Sequence, residues 1–244
     1  MSIPYYSTYR FFSFWIFFAV SLSGLTQTDP AVQKLVDTTN FYYRASDLLN
    51  LGEVYRPEHI YAQGHPYFIT DEYTIASLSV GNTAFEKLKA RYNIATDQLI
   101  IKAKVDSGLL VNMVTKEDWI NSFKINGHFF VNSGKLYPDK NVKGYVEEVY
   151  KGKRTFYIKY RKKFIDTYND ATPEGFFSIV KTNKYVYENG IFIPVDKKCA
   201  FLKLYSDKKS IKKFMRENKI RYSKASTVQL NLLMQFCDGL PKSI

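Results

Sequence analysis

Two stretches of the chain concentrate positive charge densely enough to hold an anion. Lys151, Lys153, Arg154, Lys159, Arg161, Lys162 and Lys163 crowd one short segment. Lys208, Lys209, Lys212, Lys213 and Arg216, continued by Lys219, Arg221 and Lys224, crowd another. Clustered ammonium and guanidinium groups raise a local positive potential that draws phosphate, carboxylate or sulfate. Tyr157 and Tyr160 interleave with the first cluster, and rings set between cations suit single-stranded nucleic acid, whose bases stack while its phosphates are neutralised. A plainer use of the same residues is a solvated lysine surface that keeps the protein soluble and blunts sheet edges.

Other chemistry has less to stand on. His59 and His65 flank a short loop with Asp71 and Glu72 nearby, which makes them weak candidates for a mixed histidine and carboxylate metal site, although the spacing fits no metal motif. A hydrolase or metal-dependent enzyme around the Gly64-His65 loop is the alternative reading. His128 follows the Asn126-Gly127 pair and is expected at a strand start, facing solvent. Glu147 and Glu148 are adjacent, and on a strand they point to opposite faces, so they make a poor catalytic pair. The chain has no G-x-S-x-G elbow, Walker-type phosphate loop or dinucleotide fingerprint. No catalytic residue is named and no cofactor is expected. Cys199 and Cys237 do not form a disulfide framework. They are read as two buried thiols, with one bridge between them as the alternative for a chain that meets an oxidising compartment.

The elements that must position these residues are mostly strands. Aromatic residues make up 17% of the chain, led by 20 Tyr and 19 Phe, and rings suit a half-buried pleated surface. Short alternating runs meet at turn dipeptides: residues 75–80 at Gly81-Asn82, residues 123–125 and 128–131 across Asn126-Gly127, residues 146–150 and 155–160 across Lys151-Gly152-Lys153, and residues 185–187 and 191–193 across Asn189-Gly190. Phe85, Leu88 and Tyr92 have helical spacing, but the turn just upstream assigns this stretch to a strand. Ser206 is expected to cap a helix with Ile211, Phe214 and Met215 on one face. Ser226 or Thr227 is expected to cap a second helix ending at Gly239. Asp29-Pro30 predicts a helix at the start of the mature chain.

Residues 11–25 form an uncharged apolar run between Arg10 and a polar segment. This is the layout of an export signal, shorter than the ~20 residues of a spanning helix. Cleavage is expected after Ser23 or, preferably, between Thr26 and Gln27; an uncleaved anchor is the alternative. The expected organisation is a signal peptide over 1–26 and a single β-rich domain over 27–244, with C-terminal helices at about 205–238 and no permanent transmembrane segment after cleavage. The fold class is mainly β with flanking helices (α+β): an antiparallel β-meander curled into a sandwich or open barrel, with one N-terminal and two C-terminal helices.

Taken in order, the apolar leader, residues 64–68 (GHPYF), residues 91–101 (RYNIATDQLII), the hairpin at 148–153, the hairpin at 183–187 and the helix start at 204–211 resemble a group of exported proteins of unknown function found in Bacteroidota. The resemblance implies a periplasmic or outer-membrane setting and carries no activity with it. In that setting the expected role is non-catalytic, with an envelope protein or an anionic envelope glycan or lipid as partner. Nucleic acid becomes the partner only if the chain is not exported.

Overall fold

A computed structural model describes residues 52–104, 109–115, 117–137, 141–167 and 170–240. The expected signal peptide and the helix expected after Asp29-Pro30 lie outside the described residues. The described part is mainly β. Its strands are β1 (Gly52–Val54), β2 (Thr74–Val80), β3 (Thr83–Asn93), β4 (Gln98–Lys104), β5 (Leu110–Thr115), β6 (Ile120–Ile125), β7 (His128–Asn132), β8 (Tyr145–Tyr150), β9 (Thr155–Arg161), β10 (Phe164–Ile165), β11 (Phe176–Phe177), β12 (Lys181–Glu188) and β13 (Ile191–Pro194). Its helices are α1 (Ser133–Leu136), α2 (Lys198–Lys203), α3 (Lys208–Glu217) and α4 (Thr227–Asp238).

Eleven strands join one antiparallel sheet in the order β1-β5-β4-β3-β2-β6-β7-β8-β9-β12-β13. The four expected hairpins are all present, and two of them turn on Asn126 and Asn189 at φ 51° beside Gly127 and Gly190 at positive φ, the backbone that an Asn-Gly pair adopts without strain. The meander is double. From β2 the chain runs outward through β3, β4 and β5, then returns to pair β6 with the other edge of β2 and runs outward the opposite way. Between β9 and β12 it detours into the two-stranded β10–β11 sheet. The outer edges are short: β1 has three residues and β13 has four, the last of them Pro194. Both features discourage edge-to-edge pairing.

The sheet is open but strongly curled. Laid flat, β3 and β9 would lie five strand spacings apart, about 24 Å. In the protein, Asp97 in the β3–β4 turn accepts a hydrogen bond from Lys159 of β9, and the Lys162 backbone N–H reaches Ile94 O at 3.4 Å. The curl encloses Leu78, Tyr92, Phe123, Phe130 and Tyr145, with Phe68 packed edge-on against Phe130 at 5.2 Å. Farther along, the same face of the sheet is covered by helices. Phe156, Ile158 and Val186 from the sheet pack with Phe201, Ile211, Met215, Leu230, Leu233 and Met234 from α2, α3 and α4. The opposite face carries a smaller cluster of Val131, Val146, Tyr157 and Phe192, bordered by Tyr137, Tyr185 and Tyr187.

Three helices therefore follow the sheet where two were expected, because the short α2 carries too few residues for its periodicity to show. The cap of α3 is Asp207, whose carboxylate accepts the Ser210 N–H at 2.9 Å, and not Ser206. Ser226 caps α4 in a reciprocal box with Gln229. Asn231 Nδ2 donates to Val149 O at 2.6 Å and fixes α4 on β8.

Asp97 also accepts from Tyr92 Oη and from the Tyr145 N–H at 3.3 Å, while Lys159 passes Gly144 to reach it. A Cβ on Gly144 would lie 1.7 Å from Asp97 Oδ2. Removing one partner of a buried ion pair strands the other charge, so Asp97→Ala is expected to cost about 3–5 kcal/mol. Gly144→Ala is expected to shift the urea midpoint in the same direction, and equilibrium denaturation followed by tryptophan fluorescence measures both.

Candidate anion-binding surface

The two cationic clusters have different fates. Between residues 197 and 224 the chain carries 11 Lys and Arg against Asp207 and Glu217 alone, so this helical segment holds nine of the net twelve positive charges. The periodicity explains why the charge stays outside. Ile211 and Met215 of α3 are buried in the helical core, and Lys208, Lys209, Lys212, Lys213 and Arg216 turn to solvent. All 11 cations of the segment are exposed. One carboxylate contact is present along α3, Lys213 to Glu217 at 3.9 Å, and Asp207 is committed to the helix cap, whose hydrogen bonds from Ser210 hold its carboxyl below the usual range.

Four of the seven cations of the hairpin cluster have partners within the protein. Lys159 is buried, 4% exposed, and paired with Asp97; burial lowers its ammonium pKa although the carboxylate opposes the shift. Lys153 Nζ donates to Asp238 O at 2.5 Å and its backbone N–H to Asp238 Oδ2 at 2.8 Å. It closes the last turn of α4, where free carbonyls and the helix dipole favour a cation. Arg154 pairs with Glu188 at 2.8 Å and stacks over Tyr205 at 4.7 Å. Lys162 Nζ donates to His65 O at 2.6 Å. Lys151, Arg161 and Lys163 are exposed, as is Lys153 despite its bonds to Asp238.

The aromatic partners of that cluster are also withdrawn. Tyr157 is 0% exposed and donates to Glu148 Oε2 at 3.1 Å, and Tyr160 donates to Glu147 Oε2 at 2.5 Å. The Tyr157 ring is fully enclosed, and Tyr160 is partly buried against the two clusters of its face. The alternation that made them appear interleaved with the cations in sequence sends them into two packed faces of β9.

Glu147 and Glu148 point to opposite faces, as strand geometry requires, and each serves a separate network. His128 does not face solvent. Its Nδ1 lies 2.5 Å from Glu147 Oε1, and its ring packs edge-on against Phe68 at 5.0 Å. No signal at the Asn-Gly turn reveals this, because the partner lies 19 residues away across β7 and β8. His59 stacks on Phe164 with centroids 3.5 Å apart, and His65 Nδ1 accepts the Tyr67 N–H at 3.2 Å. Among the described residues no group of three or more His, Cys, Asp or Glu side chains is placed to hold a metal ion. The thiols are unbridged: Cys199 is exposed, not buried, and Cys237 is buried, with its pKa pushed up to about 12 by desolvation.

No protein-family model, no curated protein and no solved structure matches this chain. Among the described residues no helix is long and apolar enough to cross a membrane.

The His128 contact sets a pH dependence. The hydrogen bond to Glu147 raises the imidazole pKa from 6.5 against the pull of burial. A group whose folded pKa is raised stabilises the fold fully below its unfolded value, and that contribution is lost as pH rises through the folded value. Melting temperature is expected to fall as pH rises from about 6 into the alkaline range, and His128→Gln is expected to flatten that slope. In the native protein iodoacetamide is expected to label Cys199 and spare Cys237, as peptide mass mapping would read, since the thiolate is the reactive form.

Proposed function

We propose that this is an exported, non-catalytic binding protein whose α2–α4 segment docks on an anionic surface of lipid or glycan headgroups in the cell envelope. The observation that carries the reading is the exposed face of α3, with five cations in ten residues and a single carboxylate contact along the helix. Several features support a surface rather than a small ligand. The cations are mostly lysines, which act as hydrated point charges and lack the planar fork of arginine. They lie along a helix and do not converge, and the aromatic side chains of this segment turn inward. A spread of point charges recognises charge density, and each Lys or Arg close to an anionic membrane surface contributes about 1 kcal/mol. The apolar run at residues 11–25 supports delivery to that setting.

The polar networks inside the sheet support a structural role for their members. Asp97, Glu147 and Glu148 are each satisfied by tyrosine, lysine or histidine within the protein.

Cosedimentation with vesicles containing phosphatidylglycerol, compared with vesicles of phosphatidylcholine alone, tests the proposal. Binding to the anionic vesicles is expected at low salt and is expected to fall steeply toward 0.5 M NaCl, where the Debye length shrinks to about 4 Å. Replacing Lys208, Lys209, Lys212 and Lys213 with Glu is expected to abolish it, while Lys151→Glu with Arg161→Glu leaves most of it. Equal binding to both vesicles, or binding indifferent to the four-lysine reversal, would overturn the reading. If lipopolysaccharide is bound and phosphatidylglycerol is not, the anion is glycan-borne.

A further inference from the structure

The strongest unassigned feature is a cleft of about 500 Å³ at the end of the curled sheet, between the β1 and β5 edge and the small β10–β11 sheet. A volume of this size falls within the range of small-molecule sites. It is independent of the basic helices, and three residues singled out from sequence, His59, Lys162 and Lys163, meet in its lining.

Its walls differ in chemistry. One is aromatic: His59 stacks on Phe164 at an interplanar angle of 9°, and Phe177 meets the Phe164 ring at 5.6 Å. His59 is held there at φ 53°, a left-handed conformation uncommon for a residue with a side chain. The other wall is polar. Asn93 is buried, with its Oδ1 taken by the Ala95 and Thr96 N–H groups. Thr96 Oγ1 donates to Gln98 Oε1 at 2.8 Å, which leaves the Gln98 amide protons for a ligand.

The cleft lining is mixed in charge: Glu53 and Glu58 stand with Arg56, Lys162 and Lys163, which leaves a surplus of one cation. Lys162 is partly buried with its ammonium against the His65 carbonyl, and no carboxylate among the described residues forms an ion pair with it. Burial lowers its pKa, as expected for a desolvated cation lacking a counter-charge. An ammonium with one acceptor retains two N–H donors, and a charge-assisted bond to a carboxylate is the strongest use of them. Lys163 and Arg56 add two further cations to the lining.

We propose that this cleft binds an acidic sugar, a uronate ring whose carboxylate meets Lys162 and Lys163, whose apolar C–H face lies against the His59–Phe164 stack and Phe177, and whose hydroxyls meet Gln98 and the carboxylates Glu53 and Glu58. A ring carrying an anion on one side and hydroxyls on another is the chemistry that matches one cationic, one aromatic and one amide-bearing wall. A neutral sugar would leave Lys162 unanswered, and an aromatic acid would leave the amide wall unanswered.

The test is titration of the full chain with trigalacturonate and with glucuronate, followed by amide chemical shifts and calorimetry, with glucose and benzoate as comparison ligands. Saturable binding of the uronates is expected, with shifts at residues 93–98 and 162–164. Glucose should bind at least about tenfold more weakly, the size of effect that losing one charge-assisted hydrogen bond gives. Lys163→Met and Phe164→Leu should each weaken binding by about tenfold or less, and Lys162→Met by more. Reversal of Lys208, Lys209, Lys212 and Lys213 should leave uronate binding unchanged, which separates this site from the basic helices. Because Lys162→Met also removes the bond to His65, the wild-type comparison of uronate with glucose carries the test if that variant fails to fold. The proposal is overturned if no uronate saturates, if glucose binds as well, or if benzoate saturates where uronates do not.

Discussion

The contact between Asp97 and Lys159 decides how the sheet can be shaped. Its partners come from strands that lie far apart in the sheet order, and the Tyr92 hydroxyl and the Tyr145 backbone N–H meet the same carboxylate. Burying a cation is costly, and the curl that encloses Lys159 also brings Asp97 to it. The ion pair therefore acts on register more than on net stability. Once β3 and β9 are held at this spacing, the rings of Tyr92, Phe123, Phe130 and Tyr145 pack at centroid distances near 5–6 Å. Edge-on ring packing at that range contributes beyond simple burial. Gly144 belongs to the same constraint, since the space its missing side chain leaves is occupied by the carboxylate.

One face of the sheet is shielded in two ways, by its own curl at one end and by helices at the other. Tyr160 packs against both clusters and passes its hydroxyl to Glu147, which also holds His128. The polar atoms at this seam are satisfied internally, which is what a boundary between two apolar clusters needs. Surfaces free to meet a partner then lie away from the seam, on the outward side of the helices and at the mouth of the curl.

Much of the architecture was readable residue by residue. Asn-Gly and Gly-Asn pairs located hairpins because they adopt a backbone that few other residues tolerate, and Ser226 announced α4 through a local hydrogen-bond pattern. The strand over Phe85 to Tyr92 was separable from a helix because the preceding turn is local as well. What escaped was non-local. Nothing in the neighbourhood of Lys159 indicates that Asp97, 62 residues away, converts a surface residue into an enclosed one. The same holds for Lys153, whose acceptor lies on Asp238, and for His128. The exposure of the basic helix follows from its own period, whereas burial of a cation on β9, as at Lys159, depends on what covers each face of the strand.

The return of the chain from β5 to β6 bears on synthesis. β2 acquires β3 as a neighbour across a two-residue turn, but its other neighbour emerges roughly forty residues later. At 5–20 residues per second that interval is roughly 2–8 s. During it, a strand of sequence TIASLSV, destined for the middle of the sheet, has one row of backbone donors and acceptors open to any other extended chain. The centre of the finished sheet is thus its most vulnerable edge while the protein is being made. A chain crossing a membrane unfolded and completing the sheet afterwards would present all its strands together and shorten that exposure.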